Sequence, residues 1–514
     1  MTPFQVGPWV HGVNYSKPAD ELRTSELFSA QSVAIGNAGQ AEKRKGSTPY
    51  INTALNSGAT ITGCGKQRFS ASSKRVFAFA GDKFFEDVSG TWTDRTGGLT
   101  ITAGNMWSLA NASGTLIGHN GVSGDSLVKW TAAGGNLAAW SVSSRFTWAQ
   151  HVVWYDRRAW AFNLSSGTDR GWYSDSGDFE TFAASSFFQF GEDVTGAERF
   201  ATDKLAVHTE QSIFLLVPTG NADTPYAKFN VTQDSSKPDE GLIGGTVSGR
   251  SIVNLPDGTQ IFVRREGIFQ FDGSSVVKKI SKKLDGSRYW ADIQKDELSN
   301  SFAVHYADKE QVWFFLPHGT GQTNLNHCMV YDYGLSGVVG EHVWYGPFTG
   351  NTRACGAIID DLPTLGGYDG KLYSHDTGNA DNDGADDNAI DGWFETASAA
   401  PTNGADDVTW QKARHFYEVT GDHDAEITQQ SPGIDATIET LEMGGSYDAI
   451  GVDFGIGVSA IAGDNIVEFE DTDISGIDPF TKLRYRNGNA NEPFSIRRAI
   501  LYAQGNFRRF KMKD

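Results

Sequence analysis

The chain has 514 residues, 39% hydrophobic, 12% aromatic and only 21% charged, with a formal net charge of −20. That length suits two or three packed units rather than one small core, and the low charge content excludes long disordered stretches. The acidic balance argues against a general DNA-binding face. Three cysteines (Cys64, Cys328, Cys355) with no finger-like spacing exclude a disulfide framework and a cysteine metal site.

The N-terminus, Met1 to Gly7, carries neither a charged head nor an apolar run, so no signal peptide is expected. No apolar stretch approaches the roughly 20 residues that span a bilayer. Synthesis in a reducing cytoplasm is the expectation.

Helical periodicity is scarce. Residues 20–34 read as a short helix or an extended arm, and a second short helix is expected near 288–298. Elsewhere strands of about four to seven residues alternate with turns of Gly, Asp, Asn and Ser. Fifty-nine glycines against 15 prolines fit that punctuation.

A loose repeat runs from about 56 to 398. Arg75-Val-Phe-Ala-Phe-Ala-Gly-Asp, Val152-Val-Trp-Tyr-Asp-Arg-Arg-Ala-Trp-Ala-Phe, Leu205-Ala-Val-His-Thr, Gln260-Ile-Phe-Val-Arg-Arg-Glu-Gly-Ile-Phe, Gln311-Val-Trp-Phe-Phe-Leu and Gly366-Gly-Tyr-Asp-Gly-Lys-Leu-Tyr each pair an apolar strand with a tight turn or an aromatic strand. A spacing of roughly 45–60 residues is that of propeller blades. Packing such sheets around an axis buries faces that one sheet leaves bare. Six or seven units are expected, with a β-sandwich array as the alternative arrangement. After Ala400 longer strands with charged outer positions read as a separate antiparallel module. The fold class is therefore all-β: an N-terminal arm over 1–55, a β-propeller over 56–398 and a C-terminal β platform over 399–514.

Motifs that carry chemistry are incomplete. Asn379, Asp381, Asp383 and Gly384 match the first half of a calcium loop, but Ile390 stands where a bidentate Glu is wanted, so 379–391 reads as an acidic solvent loop joining propeller to platform. Ser174 to Phe182 resembles an Asp-box, which is a turn and not a catalytic group. Gly65-Lys66 lacks the upstream glycine of a P-loop. His305 and His375 in apolar strands read as hydrogen-bonded core residues. With no nucleophile–base–orienter set legible, no enzymatic activity and no cofactor is expected.

Residues 11–49 carry a further pattern: Gly12, Asn14, Leu22, Gly36, Asn37, Lys43, Arg44, Gly46 and Pro49. In that pattern the chain resembles the opening of podophage tail nozzle proteins, the tail tubular protein B or packaged-DNA stabilisation family. Asp156 to Phe182 and the join from Tyr373 to Thr396 are also similar. The resemblance implies a structural virion protein of a short-tailed bacteriophage. It would form a hexameric ring below the adaptor or head-to-tail connector, touch a tail fibre or spike, hold packaged DNA, and conduct it during ejection without specific binding. An acidic wall lets a duplex slide. A propeller-type host-receptor or carbohydrate-binding virion protein is the alternative.

The charge is uneven. From about 359 to 480 acids predominate, whereas from Lys482 to Lys513 nine lysines and arginines accumulate. Arg484, Arg486, Arg497, Arg498, Arg508 and Arg509, interleaved with aromatic and aliphatic positions, are the expected subunit interface.

Overall fold

The computed structural model describes residues 2–231, 244–274, 277–401, 407–421, 423–431, 438–443 and 467–505. Two bodies are built from these residues, a propeller and a two-sheet sandwich.

Consecutive hairpins make the first body. Blade 1 comprises Ile61–Arg68, Lys74–Ala80, Lys83–Asp87 and Trp92–Asp94. Blade 2 runs from Ser108–Ala112 to Ala138–Ala139, blade 3 from Ala149–Tyr155 to Phe187–Gln189, and blade 4 from Val194–Phe200 to Tyr226–Asn230. Blade 5 runs from Val253–Asn254 to Val277–Lys279 and blade 6 from Phe302–Tyr306 to Val343–Phe348. Blade 7 takes Arg353–Ile359, Leu362–Gly367 and Leu372–His375, and its fourth strand is Ser47–Pro49 from the N-terminal region. The innermost segment of each blade lies beside that of the next, and Arg353–Ile359 packs against Ile61–Arg68, which closes the ring at seven blades.

Turn chemistry shapes these hairpins. Asp156 and Arg157 both hold positive φ (49° and 59°) between Ala149–Tyr155 and Arg158–Leu164, as do Asp360 and Asp361 (50° and 65°) between the first two strands of blade 7. Two left-handed residues in succession match the right-handed twist of paired strands. Between blades the repeated aromatics pack edge to face. Trp160 of blade 3, fully buried, meets Tyr226 of blade 4 edge to face with ring centroids 4.9 Å apart, and Tyr173 of its own blade lies tilted beside it at the same distance.

The second body has two facing sheets. One contains Val33–Ile35, Ala41–Lys43, Ser495–Gly505, Val408–Glu418 and Val467–Asp473, with Thr2–Val6 also paired to Ser495–Gly505. The other contains Leu27–Gln31, Gly392–Thr396, Lys482–Asn487, Asp424–Gln430 and Ile438–Glu442. Alternation places Leu483 and Tyr485 inward against Phe394, Trp410 and Leu501. His415 bridges the sheets inside this core, with Nδ1 2.7 Å from Tyr485 Oη and Nε2 2.7 Å from Thr472 Oγ1. Burial lowers its pKa to about 3, so the ring is neutral.

Several expectations are corrected here. The stretch 1–55 is no free arm: its strands enter both sandwich sheets and blade 7. Their alternating apolar positions, Val6, Leu27, Ala30, Val33, Ile35 and Ala41, are buried in the shared core. The strand Gly392–Thr396 belongs to the sandwich rather than the propeller. Residues 20–34 hold one short 3-10 turn, Ala19–Glu21, and then the strand Leu27–Gln31. The region near 288–298 forms two 3-10 turns, Trp290–Asp292 and Lys295–Asn300. The acidic segment 379–391 is a hairpin, Asp381–Asn382 with Asp387–Asn388, added to the edge of blade 7. No helix among the described residues is long and apolar enough to cross a membrane.

Candidate functional site: the propeller–sandwich junction

The seam between the two bodies carries the residues that marked the N-terminal sequence. Gly12, at φ +67°, lies so close to blade 6 that a Cβ there would stand 2.1 Å from the Trp344 carbonyl oxygen. The neighbouring Val13 N–H donates to that same oxygen at 2.8 Å. Asn14 is buried and donates from Nδ2 to Glu26 Oε1 at 3.0 Å, while Lys283 of the propeller approaches the same carboxylate at 3.3 Å. Burial alone would raise the Glu26 pKa, but Asn14 and the Lys283 charge outweigh it and hold the carboxyl below its usual range.

Lys43 and Arg44 then face opposite bodies. The buried Lys43 ammonium donates to Asn487 Oδ1 (3.1 Å) and to the carbonyls of Asn489 (2.7 Å) and Glu492 (3.1 Å), all in the sandwich. Burial pulls its pKa down to about 8, with Glu492 and Asp391 opposing. Arg44, equally buried, forms a two-pronged pair with Asp381 at the edge of blade 7, Nη1 to Oδ1 at 3.0 Å and Nη2 to Oδ2 at 2.5 Å. It also donates to the Thr349 carbonyl at 2.8 Å. Burial would raise the Asp381 carboxyl, but the Arg44 bonds and charge, with Ser47, keep it below the usual carboxylate range. A planar guanidinium suits this geometry in a way that lysine does not. Gly46 admits no side chain, since a Cβ would sit 1.8 Å from the Ala380 carbonyl oxygen. Blade 7 is closed directly afterwards by Ser47–Pro49.

The half calcium pattern is dismantled by the same contacts. Asp381 is committed to Arg44 and Ser47, and Asn379 Oδ1 accepts from Lys45. Asp383 turns back onto the N–H groups of Ala385 (2.9 Å) and Asp386 (3.0 Å), and Ile390 is buried in the protein. Among the described residues no group of three or more His, Cys, Asp or Glu side chains is placed to hold a metal ion. The Asp-box-like segment is a structural turn: Asp178 accepts from the Glu180 N–H and Thr181 Oγ1, and Phe182 is buried between Trp140 and Phe146. His305 bonds to Tyr333 Oη, and His375 accepts from Arg353 Nε in the core.

The basic interface set is split. Arg484 and Arg486 stand on the outer face of the sheet containing Gly392–Thr396. Arg484 lies 4.4 Å from the Trp393 ring centroid, and Arg486 pairs with Asp391 at 2.9 Å. Arg497 and Arg498 belong to the opposite sheet, where Arg497 pairs with Glu418 at 2.6 Å and Arg498 covers Phe416 at 4.5 Å. Arg508 and Arg509 lie outside the described residues. The four described arginines thus form two separate patches, each already engaged within the chain.

Sequence reasoning missed the propeller's axial cavity of about 720 Å³. Small and polar groups line it, including Cys64, Asn120, His151, Glu198, Arg250 and Cys355. Burial raises the Glu198 carboxyl and lowers His151 to about 4, the nearby Arg250 charge adding to the latter. Cys64, His151, Glu198 and Cys355 sit on separate inner strands and Asn120 and Arg250 on connecting segments, so no spacing in the chain announces them.

No family model matches the chain, and no curated protein matches it in sequence. Solved structures with a similar arrangement include YCF48 bound to D1 peptide, at 11% identity over 64% of this chain and 99% of that one, with a TM-score of 0.38. The extracellular domain of the one-component system BT4673 from B. thetaiotaomicron is 11% identical over 93% of this chain and 63% of that one, with a TM-score of 0.42. An exo-β-1,3-galactanase from Phanerochaete chrysosporium is 8% identical over 90% of this chain and all of its own, with a TM-score of 0.26. At these values the propeller assignment rests on the strand pairing itself.

Proposed function

We propose that the protein is a structural component of a short-tailed bacteriophage tail, a subunit of the nozzle that retains packaged DNA and conducts it during ejection. The observation that supports this reading is the placement of the residues on which the resemblance rests. Gly12, Asn14, Lys43, Arg44 and Gly46 are the close approaches and buried polar bonds that fix propeller to sandwich. A ring subunit under mechanical load needs its two bodies held firmly together, which these buried bonds supply.

In this reading six copies form a ring attached to the adaptor and to a fibre or spike, in the virion. The net charge of −20 supports a channel wall that does not grip the duplex. Electron microscopy of the purified protein tests it, the expected result being six-fold rings with an axial channel. Particles made without the protein should package DNA and then lose it. Discrete monomers that capture glycans on an array would overturn the nozzle reading in favour of a receptor-binding one.

A further inference from the structure

The axial cavity contains a thiol pair that the nozzle reading does not use. Cys64 lies on Ile61–Arg68, the innermost strand of blade 1, and Cys355 on Arg353–Ile359, the innermost strand of blade 7. These are the two strands at which the ring meets itself. Their sulfurs are 3.8 Å apart, and the remaining contacts of each are weak: Cys355 Sγ to the Ile61 carbonyl at 3.4 Å, Cys64 Sγ to that of Thr364 at 3.9 Å. Both line the cavity of about 720 Å³, which is roomy enough for a small oxidant. Cys328 is buried in blade 6, on His327–Asp332, and does not line it.

We propose that Cys64 and Cys355 are a disulfide-forming pair, a covalent clasp across the closing seam of the propeller that is set by oxidation of the folded chain. The sulfurs must approach from 3.8 Å to about 2.05 Å, a movement shared between two side chains. Gly366 leaves the space beside them, since a Cβ there would stand 2.8 Å from Cys355 Sγ.

The oxidant is a small disulfide. One cysteine thiolate attacks it, forming a mixed disulfide and releasing one thiolate. The second cysteine thiolate attacks the protein sulfur of that mixed disulfide and releases the other. The two protons lost by the cysteines end on the two released thiols, so two cysteines are oxidised as one disulfide is reduced. The hydrogen bond from Cys355, with burial, raises the Cys64 thiol well above its ordinary pKa, so closure runs faster at alkaline pH.

The test uses the full chain, purified reduced and desalted, then held natively with oxidised glutathione at pH 8.5. Thiols are counted after denaturation, and digested peptides are weighed. The expected result is a fall from three thiols to one, and a linked pair of peptides containing Cys64 and Cys355, two hydrogens lighter than the free pair. Dithiothreitol should reverse both. C328S should lose both of its thiols, whereas C64S and C355S should form no internal link. Three surviving thiols in the wild-type protein, a stable glutathione adduct that never closes, or a link involving Cys328 would each overturn the proposal, and the wild-type peptide map decides even if a variant fails to fold. The outcome is independent of whether rings form, so it does not stand or fall with the nozzle reading.

Discussion

The propeller and the sandwich satisfy the same backbone in opposite ways. In the propeller, strands pair almost entirely with their sequence neighbours, as in the register Tyr155↔Arg158 or Ala80↔Lys83. In the sandwich, Thr2–Val6 lies beside Ser495–Gly505, and Leu27–Gln31 beside Gly392–Thr396. One body is a chain of local decisions with a single long-range closure. The other is assembled from both ends of the polypeptide and forms only when they meet. Local pairing tolerates damage to one unit, whereas non-local pairing shares it.

The largest effect is expected where the two regimes meet. Gly46→Val forces a side chain into the Ala380 carbonyl and should cost more than about 4 kcal/mol. Calorimetry should show the sandwich and blade 7 destabilised together. Independent melting of an unaffected sandwich would break the comparison.

Next come matched core truncations. Trp160→Ala in blade 3 and Trp410→Ala in the sandwich should each cost about 3–5 kcal/mol. Hydrogen exchange should distinguish them, with protection lost mainly in blades 3 and 4 for the first and across Thr2–Val6, Val408–Glu418 and Ser495–Gly505 for the second. Identical exchange patterns would contradict the local and shared regimes.

Acid sharpens the contrast further. His415 in the sandwich has its pKa lowered by burial to about 3, and His208 in the propeller to about 4, both from 6.5. The unfolded chain takes up protons from about pH 6.5 downward while the folded chain does not. Each histidine's stabilisation is therefore intact above pH 6.5 and is lost as pH falls toward 3–4, by roughly 1.4 kcal/mol per pH unit. His415→Gln should flatten the acid limb of the sandwich transition and leave the propeller's unchanged. An unaltered sandwich profile would show that this ring is not kept neutral.

The smallest expected effect concerns the basic strands. Arg486→Ala breaks an exposed pair with Asp391 and should change stability by less than about 1 kcal/mol. If assembly of tails is nevertheless lost, the patch on Lys482–Asn487 is an interface. If assembly is normal, that arginine is only solvated.

What was legible in the chain follows the same division. Period-two aromatic strands with Asp and Gly turns are local signals, so six of the blades could be read from repeat segments, whereas blade 2, with its short strands from Ser108–Ala112 to Ala138–Ala139, supplied none of them. The seventh blade's missing strand and the sandwich partners of 1–55 were not legible, because pairing between Leu27–Gln31 and Gly392–Thr396 leaves no mark at either site alone. The motif residues from Gly12 to Gly46 could be picked out, but their reason could not: Arg44 and Asp381 are 337 positions apart. The charge run after Lys482 was visible, yet its two strands, Lys482–Asn487 and Ser495–Gly505, belong to opposite sheets, which sends the arginines to two faces.

The strand Ser47–Pro49 also sets a timetable. It leaves the ribosome before its partner Leu372–His375, which follows only after some 320 further residues. At about 5–20 residues per second that interval is roughly 15–65 s. Six blades can fold in succession while the closing strand waits, and the first N-terminal strand waits longer still for Ser495–Gly505. For that interval the nascent chain presents open sheet edges, a window in which a neighbouring chain on the same message competes for the place that the N-terminal strand will finally occupy.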